Sequence, residues 1–303
     1  MKVALWSLNL ARKITSVDDW LSLLEEQLIS VQQQQVDILV LPEYLSEHFL
    51  SIAQNDLVVA QEVPWMAEQS LRLLEPIQRL ADHYNTAILA GTVPVAVEID
   101  SCNTYVNRSH FFSPNKLVQY QDKLCLTPGE KEVGGWLLTA GNTVQLIEYK
   151  GIKIAILICL DIEMPALSVL LAPLDIDLIL VPSMTSKEAG YNRVFGCAKA
   201  RAIELQAAIA VVGPIGRAGE DESKRDQFSS AAAFYLPCEE SLGHQGVLAQ
   251  REVTKGDVLE PLDQELLIGE LDLMHIRSLR HGAAEVWPGG WSAEHIKVLT
   301  PVA

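Results

Sequence analysis

Three residues of different chemistry follow directly on apolar or extended-type runs: Glu43 after Ile38-Leu-Val-Leu-Pro42, Lys123 after Leu117-Val-Gln-Tyr-Gln-Asp122, and Cys159 after Ile154-Ala-Ile-Leu-Ile158. In layered α/β folds, strand ends are where reactive groups converge, so a carboxylate, an ammonium and a thiol placed there could form one site. Taken singly, each has an ordinary explanation. Charged residues at strand ends are mostly solvated surface groups, and a cysteine closing an apolar strand is commonly a small buried hydrophobe. That ordinary explanation is the one assigned to Cys102, Cys125, Cys197 and Cys238.

Other chemistries find less support. The seven histidines are scattered, outside any recognisable motif and without zinc-ligand spacing, which leaves a Cys–His mechanism and a metal centre without a basis. Gly-x-Ser-x-Gly, Walker and Gly-x-Gly-x-x-Gly patterns are absent. The five cysteines lack Cys-x-x-Cys spacing, so neither a disulfide framework nor a zinc knuckle is expected. Asn107-Arg-Ser109 matches a glycosylation sequon, read here as a chance match.

The elements that must position the three residues can be read from hydrophobic pattern. Strands are expected at Lys2–Leu8, Asp37–Leu41, Thr86–Thr92, Thr104–Phe112, Leu117–Gln121, Thr143–Tyr149, Ile152–Ile158, Asp177–Val181, Ala207–Val212, Ser229–Leu236 and Leu266–Leu273. Many are continuous apolar runs, as expected of strands covered on both faces. Helices are expected at Val17–Gln34, Trp65–His83, Glu163–Leu171 and Asn192–Gln206. Ser113-Pro-Asn-Lys116 and Lys150-Gly151 predict two antiparallel hairpins, so the fold class is α/β with mixed sheets. One domain over 1–303 is the simplest organisation, with an irregular tail from about residue 276 that includes Trp287-Pro-Gly-Gly-Trp291.

Composition bounds the partners. Hydrophobic residues make up 49% and charged residues 20%, an ordinary globular balance. The formal charge of −16 disfavours nucleic acid, and the densest cationic pair, Lys224 and Arg225, sits among Glu220, Asp221, Glu222 and Asp226. No apolar run reaches membrane-spanning length and the first residues read as a strand rather than a signal, so no membrane association and a cytoplasmic location are expected.

The local sequences around the three residues sharpen the reading. Leu39-Val-Leu-Pro-Glu43-Tyr, Tyr120-Gln-Asp-Lys123-Leu-Cys-Leu-Thr-Pro and Ile156-Leu-Ile-Cys159-Leu-Asp161-Ile-Glu-Met-Pro165 resemble, in order and spacing, the three signature blocks of the nitrilase-like carbon-nitrogen hydrolase superfamily. Gly91-Thr92, Cys102-Asn103-Thr104-Tyr105, Leu180-Val-Pro-Ser183-Met and Ala198-Lys-Ala-Arg201-Ala-Ile-Glu204-Leu-Gln206 extend the resemblance over roughly residues 2 to 275. It departs at Leu160, where the family commonly has an aromatic residue, and at Ala166, where it commonly has Glu.

The resemblance implies a four-layer α-β-β-α sandwich with Glu43 as general base, Lys123 as electrostatic stabiliser and Cys159 as nucleophile. It also implies a second glutamate after the lysine, Glu130 with Glu132 in reserve, and pocket residues Ser183, Met184 and Tyr191. A neighbouring ammonium lowers a thiol pKa, a service expected of Lys123. Lys123 and the Leu160 N–H are the expected oxyanion donors. Arg201 and Glu204, three apart on one helix, are read as an ion pair supporting the site. The expected activity is hydrolysis of a small aliphatic amide or ω-amide to carboxylate and ammonia through a Cys159 thioester, without cofactor or metal. Nitrile or carbamoyl substrates, and a non-catalytic binding protein of the same fold, are the alternatives. The resemblance further implies a homodimer or higher homo-oligomer.

Overall fold

The computed structural model describes all residues except 54–56, 100, 220–225, 283, 286, 287, 289, 291 and 299–303. The Lys224 and Arg225 pair, Trp287 and Trp291 therefore lie outside the described residues. The first half of the chain runs β1 (Lys2–Trp6), α1 (Val17–Gln33), β2 (Ile38–Val40), α2 (Val59–Leu71), α3 (Leu74–Tyr84), β3 (Ala87–Leu89), β4 (Val93–Ile99), β5 (Cys102–Phe112), β6 (Gln119–Asp122) and the single turn α4 (Pro128–Lys131). The second half runs β7 (Leu146–Tyr149), β8 (Ile152–Ile156), α5 (Pro165–Leu171), β9 (Leu178–Pro182), α6 (Glu188–Leu205), β10 (Ala208–Val212), β11 (Ala232–Tyr235), β12 (Val247–Gln250), β13 (Leu266–Glu270) and α7 (Leu273–Arg280).

These strands form two mixed sheets. One has the order β13-β1-β2-β3-β5-β4 with β6 also paired to β5; the other is β12-β11-β10-β9-β8-β7. In each, three central strands are parallel (β1, β2, β3 and β8, β9, β10) and the flanking pairs are antiparallel. The period-2 alternation of strand side chains builds the layers. Val3, Leu5, Ile38 and Val40 pack toward Ile154, Ile156, Leu178 and Leu180 of the second sheet. Their neighbours Ala4, Trp6, Leu39 and Leu41 instead meet Trp20, Leu24 and Leu28 of α1 and Ile77 of α3. On the far side, α6 packs Val194, Phe195, Ala198, Ala202 and Leu205 into the core with the second sheet. The result is the expected α-β-β-α sandwich.

Both predicted hairpins are present. Phe111 pairs with Gln119 across the first, and Lys150 and Gly151 turn the second with φ of 51° and 74°, the doubly positive conformation that suits strand twist. Three expectations are corrected. The single helix expected over Trp65–His83 is two, α2 and α3, because Pro76 has no N–H to continue the ladder and fits only within the first turn of a new helix. Strands β4 and β12 were not anticipated; Pro94 and Glu98 interrupt the apolar pattern of the first. Residue 276, where an irregular tail was expected to begin, lies inside α7, which runs to Arg280, capped by the Asp272 side chain and anchored by Leu273 and Ile276.

One glycine lies against the backbone that leads into Glu43. Gly91 has φ +47°, and a Cβ there would stand 1.9 Å from the carbonyl oxygen of Pro42, the residue before Glu43. Gly91→Ala is therefore expected to cost about 3 kcal/mol or more, from left-handed strain plus displacement of the Pro42 backbone. Urea denaturation of the variant beside the parent measures it; an unchanged midpoint would show that this contact relaxes freely.

Candidate active site

The C-terminal ends of β2, β6, β8 and β9 meet, and each delivers one or two site residues. Glu43 follows β2, its N–H donating to the Ser183 carbonyl at the end of β9 (3.3 Å), a bond that ties one sheet to the other. Tyr44, next in the chain, adopts φ +50° and donates its N–H to the Thr92 hydroxyl at 2.8 Å. Lys123 follows β6, its N–H bonded to the carbonyl of Asn107 on β5 (2.9 Å). Cys159 also has positive φ, +49°, and opens a 3-10 turn over Cys159–Glu163. A non-glycine residue in that region is uncommon and must be held by its surroundings.

Asp161 and Arg201 supply that hold. The fully buried Asp161 carboxylate accepts from the N–H of Ile158 (3.0 Å), Cys125 (2.7 Å) and Leu124 (3.2 Å), clamping the residues after Lys123 to the residue before Cys159. Burial lifts its pKa to about 6, and these backbone donors pull against the rise. Arg201 pairs with Glu204 at 2.8 Å, and its other nitrogens donate to the carbonyls of Ile162 (3.3 Å) and Glu163 (3.4 Å), the end of the Cys159 turn.

Glu43, Lys123 and Glu130 form a buried network. The Lys123 ammonium donates to Glu43 Oε1 at 2.8 Å and to both Glu130 oxygens at 2.8 and 2.9 Å. Glu130 also accepts from the Tyr44 hydroxyl (2.6 Å) and from the N–H and hydroxyl of Thr127 (2.7 and 2.9 Å), with Thr127 and Glu130 closing a capping box on α4. The other glutamate, Glu132, is exposed at the mouth of the cavity. Cys159 Sγ lies 3.4 Å from the Ser183 hydroxyl and 3.7 Å from the Met184 carbonyl oxygen.

The charges decide the protonation states. Burial, with the charge of Glu130 adding to it, raises Glu43 to about 7 against the pull of Lys123 and of hydrogen bonds from Lys123 and Cys159. The Cys159 thiol is pushed up to about 12 by burial and by Glu43, which outweigh Lys123. Lys123 pulls the thiol down, the direction expected of it, but its single ammonium already faces two carboxylates and the pull is outweighed. Burial disfavours the Lys123 charge, yet the Glu43 and Glu130 carboxylates hold it firmly protonated. Glu130, despite burial, is held below the usual carboxylate range by Lys123 and its hydrogen bonds.

Sequence reading missed Asn107. It is fully buried, and its Nδ2 donates to Glu43 Oε1 (2.9 Å) and Glu130 Oε1 (3.3 Å), bridging the two acids. The sequon match obscured it. A polar side chain in phase with Ser109 and Phe111 on the buried face of a strand was the available signal. Asn107→Leu, which leaves two buried acceptors short of a donor, is expected to cost roughly 2–4 kcal/mol and to raise the acid limb of any pH–rate profile. Denaturation and a pH series on the variant measure both.

A cavity of about 800 Å³ opens onto Glu43, Lys123, Glu130, Cys159, Leu160 and Met184. Tyr44 and Trp136, edge to face at 4.7 Å, form part of its wall, with the Trp136 Nε1–H bonded to Glu62 at 2.9 Å. Tyr191 does not line it: the ring packs against Phe195 on the core face of α6, with its hydroxyl near Gln250. No histidine lines the cavity. Among the described residues no group of three or more His, Cys, Asp and Glu could hold a metal ion, and no helix is long and apolar enough to cross a membrane.

A two-sheet sandwich that gathers a carboxylate, an ammonium and a thiol at its strand ends defines the class. The sequence model of the carbon-nitrogen hydrolase family matches residues 2–245, and the chain belongs to that family. It is 26% identical to a “Probable hydrolase YhcX” of Bacillus subtilis (strain 168) over 271 residues, 89% of this chain and 49% of that protein. It is 27% identical to the “Omega-amidase YafV” of Escherichia coli (strain K12) over 184 residues, 60% of this chain and 64% of that one. The chain thus spans about half to two thirds of the length of these curated relatives. In fold it is similar to Saccharomyces cerevisiae Nit3, a nitrilase superfamily member (TM-score 0.65, 19% identity, 94% of each chain). It is also similar to a mutant amidase from Nesterenkonia sp. AN1 carrying acrylamide on its active site cysteine (TM-score 0.61, 16% identity, 93% of this chain and 97% of that one).

Proposed function

We propose that the chain hydrolyses the carbon–nitrogen bond of a small aliphatic amide or ω-amide through a thioester on Cys159. The observation that carries this reading is the buried Glu43, Lys123 and Glu130 network beside the Cys159 thiol, at the base of a cavity. A carboxylate that titrates near neutrality next to a protonated thiol is suited to take its proton as sulfur attacks the carbonyl carbon. The oxyanion is received by the Lys123 ammonium and the Leu160 N–H, on the turn that Cys159 opens. Collapse of the adduct expels ammonia, which leaves with the proton held by Glu43. A water molecule, deprotonated by Glu43, then cleaves the thioester to the carboxylate and restores the thiol. Glu130 keeps Lys123 in place, and no cofactor enters the scheme. The family membership and the amidase and ω-amidase relatives support the same reading.

Ammonia release from a panel of amides, ω-amides, carbamoyl compounds and nitriles, with parent and Cys159→Ala side by side, tests it. Release from amides that vanishes in the variant is expected. Release from nitriles or carbamoyl compounds alone would move the substrate within the same chemistry, and no release together with an unreactive Cys159 would favour a binding protein. The reading carries with it a single domain, a cytoplasmic location and a homo-oligomer, which fractionation and light scattering check.

A further inference from the structure

Strand β9 is apolar throughout, Leu178-Ile-Leu-Val-Pro182, and the first polar side chain after it is Ser183, which is fully buried. The resemblance placed Ser183 in the pocket, but it does not line the cavity. Its backbone is fixed twice: the N–H donates to the Val212 carbonyl at the end of β10 (2.9 Å), and the carbonyl accepts from the Glu43 N–H (3.3 Å). Its hydroxyl has one hydrogen-bond partner among the described residues, Cys159 Sγ at 3.4 Å. One residue thus touches the proposed base through its backbone and the proposed nucleophile through its side chain.

The chemistry of that contact changes during reaction. A buried hydroxyl left without a partner is costly, so the Ser183 O–H is committed to the sulfur. At rest the thiol proton has the Met184 carbonyl oxygen within reach, 3.7 Å from Sγ. A thiol sulfur accepts hydrogen bonds weakly, whereas a bond to an ionised acceptor is about twice as strong as one between neutral groups. The Ser183 bond therefore strengthens as negative charge gathers on sulfur, and an interaction stronger in the transition state than at rest accelerates the step.

The surrounding charges leave this donor a distinct task. Burial and Glu43 push the thiol up, while Lys123 and the Ser183 hydrogen bond pull it down. The Lys123 ammonium is divided between Glu43 and Glu130, but the Ser183 hydroxyl is shared with no carboxylate.

We propose that Ser183 is a hydrogen-bond donor to the nucleophile, holding Cys159 Sγ in place and stabilising the charge that develops on sulfur when its proton leaves and when the thioester breaks. This rests on the amide-hydrolase reading above. Ser183 keeps its own proton throughout. In acylation the thiol proton passes to Glu43 as the S–C bond forms; in deacylation the S–C bond breaks, sulfur leaves with the electron pair, and Glu43 returns a proton to it.

The test follows alkylation of Cys159 by iodoacetamide, a small neutral electrophile, at pH 8 in the parent, Ser183→Ala and Ser183→Thr proteins. Peptide mass spectrometry reads the rates, with the exposed Cys102 and Cys238 as internal references. Ser183→Ala is expected to slow Cys159 about ten- to hundredfold, the size of a hydrogen bond to a charged group, and to leave the reference cysteines unchanged. Ser183→Thr, which keeps the hydroxyl, should retain most of the parent rate. With an amide substrate the loss in Ser183→Ala should fall on kcat and leave KM nearly unchanged, because Ser183 does not line the cavity. Alkylation of Ser183→Ala at the parent rate, or equal slowing in both variants, would overturn the role of the hydroxyl. Alkylation needs no turnover, so it decides on Ser183 even if no amide is hydrolysed, and full turnover by Ser183→Ala would remove this donor while leaving the amidase reading intact.

Discussion

Lys123→Met is expected to abolish amide hydrolysis and, at pH 8, to destabilise the fold by about 3–5 kcal/mol, the range for removing one partner of a buried ionic group. Lys123 is almost fully buried and is the common partner of Glu43 and Glu130, which the variant leaves facing each other with Asn107 as their shared neutral donor. Two like charges at that range cannot both stay ionised, so one carboxylate takes up a proton. The destabilisation therefore shrinks as pH falls, because protonated carboxylates tolerate burial better than ionised ones. The double variant Lys123→Met/Glu130→Gln removes the repulsion and should regain most of the stability but none of the activity. Urea denaturation at pH 5 and 8, with ammonia release at pH 8, checks both. Equal loss of stability at the two pH values would remove the electrostatic explanation, and surviving turnover would remove Lys123 from the chemistry.

The second large effect belongs to Glu43. Because burial raises its pKa to about 7, kcat/KM should fall as pH drops below 7, approaching tenfold per unit, and level off above it. The sign follows from its role: a base works only when deprotonated. The thiol, near 12, adds no second rise between pH 7 and 9. Glu43→Gln retains the shape and removes the proton acceptor, so a loss of about 10²–10⁴ is expected, toward the upper end because both half-reactions use it. A parent profile rising with a midpoint near 8.5, the value of an ordinary thiol, would mean that a free thiolate and not the Glu43–Cys159 pair is the reactive form.

Much of the architecture was legible in the chain because it is governed by local pattern. Continuous apolar runs such as Ile154-Ala-Ile-Leu-Ile158 identify strands covered on both faces, and Lys150-Gly151 specifies a tight turn. Where patterns were interrupted the reading faltered. Pro94 and Glu98 hid β4, and the meaning of Pro76 emerged only when α3 was seen to start two residues before it. Tyr191 was assigned to the pocket, but its position on α6 turns it toward Phe195 and the core, a matter of helical phase relative to a sheet not adjacent in sequence.

The sequence by itself determined which chemical groups are available and that Glu43, Lys123 and Cys159 stand at the ends of strands, while the resemblance alone pointed to Glu130. Their local sequences also carry the resemblance on which the reaction class rests. Only the tertiary structure decided what those groups are. Lys123 meets Glu43 from 80 positions away, and Asn107 joins them from a neighbouring strand. A pKa depends on burial and on charges within a few ångströms, neither of which is local in the chain. Hence the pull of Lys123 on the thiol, which the sequence suggested, is outweighed by burial and by the neighbouring Glu43, which itself titrates near 7.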